Sequence, residues 1–159
     1  MGVVCRPMEI DHSAPAVAEG QIQIDAPPEV VFEVLSDLSG WPSWNSDVRS
    51  ISVSGPVQPE TRFRWKAGGA TMSSTLEVVT PSSEIAWTGK AMGINAVHVF
   101  QLEERNGGTL AKSQESFRGL IPSLLTGYSR KILQRGIDGI LSALKVEAER
   151  RARSMSNSP

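Results

Sequence analysis

The chain has 159 residues, 40% of them hydrophobic and 21% charged, with a formal net charge of -1. That length suits one domain with a substantial core, and the apolar fraction excludes a chain disordered throughout. The near-neutral balance, with an isoelectric point of about 6.1, gives no reason to expect nucleic acid as a partner. A lone cysteine, Cys5, excludes an intrachain disulfide scaffold. Four of the nine aromatic residues are tryptophan.

Residues 1–19 mix Pro, Ser, Ala and charge without a period and read as a flexible arm. They contain no apolar stretch of secretory length, and no run reaches the roughly 18 apolar residues of a membrane span. A cytoplasmic location without stable membrane insertion is therefore expected. Gln21 to Asp25 alternates polar and apolar, as a half-buried strand does. Pro27, Pro28 and Glu29 then suit a helix start, and Val30, Val31, Val34, Leu35 and Leu38 recur at helical spacing, predicting a helix over about 28–37. Trp41-Pro42-Ser43-Trp44-Asn45 fits a further helical turn or a tight corner. Six β-rich stretches follow at 48–54, 61–66, 72–80, 84–88, 95–103 and 109–117, divided by Gly, Pro and Asn turns too short for crossover helices. The last third reads as one long helix from Pro122 to about Arg151, with an apolar stripe through Leu125, Tyr128, Ile132, Gly136, Ile140 and Leu144, broadened by Leu124, Leu133, Ile137 and Leu141. Residues 152–159 read as a flexible tail, so 20–151 form the single domain.

This order predicts an α+β fold: a curved antiparallel sheet of about seven strands around a long C-terminal helix, with two short helices after strand one. Phosphate-loop, dinucleotide and zinc-protease signatures are absent. His12 and His98 are the only histidines, so no multi-histidine metal site can form, and neither metal nor cofactor is expected.

The strand Ile22/Ile24, the Ala26-Pro27 pair, the helix Val31-Phe32-Glu33-Val34-Leu35-Ser36-Asp37 and the corner Trp41 to Asn45 resemble the opening of the polyketide cyclase/dehydrase and lipid-transport family. That family belongs to the START-like (SRPBCC) superfamily. The Gly107-Gly108-Thr109 turn and the long terminal helix match as well, so the resemblance covers about residues 20 to 149. It implies the helix-grip fold and a space between sheet and helix. Relatives include polyketide aromatases and cyclases, sterol and phospholipid carriers and co-chaperones, so the fold alone does not assign an activity.

Period-2 arithmetic places Phe63 and Trp65 on one face, then Met72, Ser74, Leu76 and Val78, then Ile85 and Trp87, then His98, Phe100 and Leu102. In the last strand Thr109, Ala111, Ser113, Glu115 and Phe117 share the face that keeps Lys112 outside. The expected ligand wall is thus Phe63, Trp65, Met72, Trp87, His98, Phe100 and Phe117, with Tyr128 and Ile132 opposite on the helix. The Trp41 to Asn45 corner is expected to plug one end of the barrel with Trp44 buried beneath the helix, and the resemblance implies that Trp41 also borders the pocket entrance. No residue set has the density of a committed catalytic site. His98, Glu115 and Tyr128 are the candidates for moving protons, and an inward Glu115 would have a raised pKa. The expected function is binding of a small hydrophobic molecule such as a lipid or polyketide, by a monomer or homodimer. The alternatives are an aromatase/cyclase or dehydratase using the same cavity, and a co-chaperone-like interaction module with a filled core.

Overall fold

The computed structural model describes residues 7–158. Strand β1 (Ala16–Ile24) leads into α1 (Pro28–Ser36), a 3-10 turn at Leu38–Gly40 and α2 (Trp41–Trp44). Six strands follow: β2 (Val48–Val53), β3 (Arg62–Ala67), β4 (Ala70–Thr80), β5 (Glu84–Ala91), β6 (Ile94–Arg105) and β7 (Gly108–Gly119). The chain closes with α3 (Leu120–Leu124) and α4 (Thr126–Ser156). The seven strands form one antiparallel sheet in the order β1-β7-β6-β5-β4-β3-β2, so only the first strand is out of sequence. This is the helix-grip arrangement expected from the element order.

The structure departs from the sequence reading at both ends. Strand β1 starts at Ala16, inside the segment read as an arm, and pairs with β7 from Ala16↔Phe117 to Ile24↔Thr109. Upstream of it, Ile10 is buried in a small cluster with Ala86 and Val99 on the outer face of the sheet, and the Met8 amide donates to Glu84. Cys5 lies outside the described residues. At the other end α4 runs through Ser156, into the segment read as a tail. Glu147 binds Arg150 and Arg151 along its last turns, and Arg153 complements the helix dipole. The single helix expected from Pro122 is two, because Leu125 leaves the helical region with φ -118° and ψ 48°.

Face assignment by alternation holds except past one bulge. The β4–β5 register shifts between Leu76 and Val78, so Val78 packs with the outer-face cluster rather than with Leu76. In β7 the inward face is the one chosen from the sequence, with Thr109, Ala111 and Ser113 buried.

Helix α4 lies over β1 and β7 and against α1, and the short α2 approaches it too. Its close seat on β1 depends on Gly20, where a Cβ would stand 3.1 Å from both Ile137 and Leu141 side chains. The buried face of α4 is Ser129, Leu133, Ile137, Ile140, Leu141, Leu144 and Ala148. That face is rotated from the expected stripe. Leu125, Tyr128 and Ile132 are 54%, 65% and 47% exposed, and Gly136 is exposed as well. The physical reason is position. The helix sits over β1 and β7, with Arg130, Gln134 and Lys145 bonded to the backbone of β1 and the residue before it, so the opposite flank carrying Tyr128, Ile132 and Gly136 has no strand packed against it.

Candidate functional site

The registers line up one row of inward side chains across the sheet. Leu76 faces Trp87, Trp87 faces His98, His98 faces Glu115 and Glu115 faces Ala18. The neighbouring row carries Ile85, Phe100, Ser113 and Gly20. Small residues beside the rings let them tilt and stack. His98 lies 4.8 Å from Phe100 at 20° and 4.6 Å from Trp87 at 43°.

Trp41 occupies the centre of this concave wall. It projects from α2 and stands edge-on to Phe63 at 6.0 Å and to Trp65 at 5.7 Å, and tilted against Trp87 at 5.3 Å. Its indole Nε1–H donates to the Leu35 carbonyl at 3.0 Å, which fixes α2 to the end of α1. Asn45 holds the following corner by accepting from the Asp47 amide at 3.1 Å. Trp41 is therefore a core plug, 1% exposed, as expected of the corner, and not the entrance residue that the resemblance implied, while Trp44, expected to be buried, is half-buried. The Trp44 indole N–H has no partner among the described residues.

The proposed wall thus divides. Trp41, Phe63, Trp87, His98 and Phe100 are buried and fill the half of the space nearest α1 and α2. Trp65, Met72, Ala96, Phe117 and Ile94 are only half-buried. They share the other end, where β3 turns into β4, β5 into β6, and β7 hands over to α3. Gly119 makes that handover possible: its φ is 142°, and a Cβ would lie 2.2 Å from the Gly93 carbonyl oxygen. On the far side of this open end stands the free flank of α4. A Cβ on Gly136 would meet nothing within 4 Å, so that flank faces open space. Trp65, Met72, Ala96 and Phe117 on the sheet are thus partly open, and Leu125, Tyr128 and Ile132 on α4 are exposed apolar side chains. Alternation places Trp65, Met72 and Phe117 on this face, with Tyr128 and Ile132 expected opposite them.

The two histidine-wall candidates come together and the third does not. His98 Nδ1 lies 3.5 Å from a Glu115 carboxylate oxygen, and His98 Nε2 shares a 2.8 Å hydrogen bond with Ser113 Oγ. Ser113 is fully buried and holds the imidazole rather than facing solvent. Tyr128 stands exposed on α4. Burial pushes the His98 imidazole down to about 3 and the Glu115 carboxyl up to about 8. Both groups are then uncharged at neutral pH. Glu115 keeps 16% of its side-chain surface against 6% for His98, so it is the more accessible member of the pair. A neutral carboxylic acid at an apolar floor can donate one hydrogen bond or one proton. Among the described residues no group of three or more His, Cys, Asp or Glu could hold a metal ion. Two clefts lie away from these residues, one of about 460 Å³ between the β6–β7 turn and the end of α4, the other of about 280 Å³ at the outer edge by Glu84 and Lys112.

The family model described as polyketide cyclase / dehydrase and lipid transport matches residues 15–149. Solved structures share the fold at low identity. A hypothetical protein, jhp0584, from Helicobacter pylori aligns with a TM-score of 0.79 at 17% identity, covering 93% of this chain and 99% of its own. The Zhui aromatase/cyclase from Streptomyces sp. R1128 gives 0.76 at 20% identity, covering 89% and 98%. A START superfamily protein from Mycobacterium smegmatis gives 0.70 at 12%, covering 87% and 98%. No curated protein matches the chain in sequence. Fold, element order and the match over nearly the whole domain agree: the chain belongs to the polyketide cyclase / dehydrase and lipid transport family.

Proposed function

We propose that this protein binds a small hydrophobic molecule, of lipid or polyketide type, in the groove between the open end of the sheet and the free flank of α4. The observation that carries this is the burial gradient along one concave face. Phe63 and Phe100 are fully enclosed, whereas Trp65, Met72 and Phe117 on the same face stay partly open, and Tyr128 and Ile132 on α4 are exposed. An apolar concavity with few polar groups is the usual form of a small-molecule site. Glu115 supplies one polar anchor, a neutral acid that can donate to a carbonyl or carboxyl oxygen of the ligand. The packed centre limits the ligand to the open half.

A second reading follows from the same pair. A protonated Glu115, set by His98 and Ser113, is a general acid held near neutral pH, as a dehydration or cyclisation of a polyketide-like chain requires. The aromatase/cyclase among the fold neighbours is in keeping with this reading. Native mass spectrometry of the purified protein tests occupancy, and anilinonaphthalene sulfonate titration reads the groove. The probe should quench Trp65, and Trp65→Phe should remove most of that signal while leaving the buried Trp87 signal nearly unchanged. No mass adduct and no Trp65 response would overturn the binding proposal. Glu115→Gln separates the two readings: retained binding within about threefold, less than about 0.7 kcal/mol, supports a carrier, and loss of turnover with binding retained supports the enzyme.

A further inference from the structure

The groove opens at one end of the molecule, and charge is distributed very unevenly toward that end. Three segments build it: 61–76 around the β3–β4 turn, 85–102 around the β5–β6 turn, and 116–137 from the end of β7 into α4. Together they hold eight of the sixteen Lys and Arg residues and none of the seventeen Asp and Glu. The rest of the chain is correspondingly acidic. Lys66, Lys90, Arg118, Arg130, Lys131 and Arg135 lie nearest the tips, and all but Lys90 and Lys66 belong to the β7–α3–α4 segment. Acids stand just outside all three segments, at Glu60, Glu77, Glu84, Glu103, Glu115 and Asp138. Asp11 pairs with Arg118 and neutralises it, and Glu115 is largely enclosed beside His98.

The same tips carry the largest exposed apolar side chains. Leu124 is 73% exposed, Leu120 72% and Met92 76%, with Ile121 at 41% beside them. Gly119 ties α3 to the β5–β6 turn, so Met92 and the α3 leucines belong to one surface. Scattered apolar residues need no explanation, but several together inside a ring of cations do. A nucleic acid would use the cations and leave the leucines in water. An anionic bilayer uses both, taking apolar side chains into the headgroup boundary while Lys and Arg meet the phosphates.

We infer that this end of the molecule docks reversibly on an anionic lipid surface, with α3 and the Met92 turn dipping into the headgroup layer and Lys131 and Arg135 above it. The docking stands on charge and exposure and does not need the groove to be loaded. It would set the groove mouth against the membrane, where an apolar ligand could move between bilayer and protein without crossing water. Among the described residues no helix is long and apolar enough to cross a membrane, so the attachment is peripheral.

Vesicle sedimentation tests it with the full chain. Vesicles of phosphatidylcholine mixed with phosphatidylglycerol should retain the protein at least about tenfold better than phosphatidylcholine alone, with retention falling as salt rises. Lys131→Glu combined with Arg135→Glu should weaken retention by about tenfold or more, since each cation near such a surface contributes about fivefold. Leu124→Ser leaves the charge unchanged, sits on an exposed position and should also weaken retention. Arg105→Glu, on the β6–β7 turn at the opposite end, should not. Unaltered near-ultraviolet circular dichroism confirms that each variant is folded. Absence of retention, equal retention on both vesicle types, or an equal loss with Arg105→Glu overturns the proposal. A dimer in light scattering that Leu124→Ser dissolves would assign the patch to a second copy instead.

Discussion

Glu115 and His98 make opposite demands on pH. The His98 pKa is depressed from its ordinary 6.5 to about 3. Its contribution is therefore complete above 6.5 and is lost as pH falls toward 3. The Glu115 pKa is raised from 4.5 to about 8, so its contribution is complete below 4.5 and is lost as pH rises toward 8. Between 4.5 and 6.5 the two slopes cancel. Above 6.5 only the Glu115 slope remains, at up to about 1.4 kcal/mol per pH unit for one proton. In a domain of this size that is about 3–6 °C of Tm. Glu115→Gln removes this alkaline loss, so thermal melts at pH 6 and pH 8 should show the variant gaining on the parent by several degrees. A gap that stays constant over that range would show that Glu115 is ionised in the folded state. His98→Phe would keep the stack with Phe100 but leave buried Ser113 Oγ without its partner, which explains why a histidine stands among aromatic rings here.

At the scale of elements, what the sequence made legible depended on which period it used. Strand alternation placed Phe63, Trp65, Trp87, Phe100 and Glu115 on the inner face, because adjacent residues in a strand are half a turn apart and an error would be conspicuous. It failed at Val78, since a bulge adds one residue without leaving a composition signal. The helix was harder. Leu125, Tyr128 and Ile132 form an apolar stripe as regular as Leu133, Ile137, Leu141 and Leu144, centred about 140° away on the helical wheel. Which stripe is buried depends on where the helix lies on the sheet, a tertiary fact that period cannot carry. Trp41 shows the same limit. Its motif was legible and its depth was not, because depth comes from the Leu35 carbonyl that anchors it. The two stripes make contrasting predictions. Ile137→Ala should cost about 2–4 kcal/mol in urea unfolding, the usual range for a buried aliphatic truncation. Ile132→Ala should change stability by no more than about 0.5 kcal/mol. Equal losses would mean that the helix is rotated from the position described.

For the whole molecule, the consequence of an off-centre helix is a division of labour. The half of the interior near α1 and α2 is closed by Trp41 and carries stability, whereas the half near α3, where the proposed ligand would sit, is less enclosed. If the two halves are separable, a change in the open half should alter binding without loss of stability. Gly136 is the position to use. It lies inside α4, its φ is ordinary, and a Cβ there meets open space. Gly136→Ala should therefore stabilise the fold by about 0.5–1 kcal/mol, by relieving the cost of glycine in a helix interior. It should leave anilinonaphthalene sulfonate binding within about twofold, since one methyl group fills little of the groove. Gly136→Trp should also hold or raise Tm, yet project an indole across the groove toward Trp65 and Met72 and weaken the probe at least about tenfold, or about 1.4 kcal/mol. Because both variants keep the core untouched, lost binding at retained Tm can only come from the groove. Binding that survives Gly136→Trp would place the probe elsewhere, with the cleft beside the β6–β7 turn as the next site to examine.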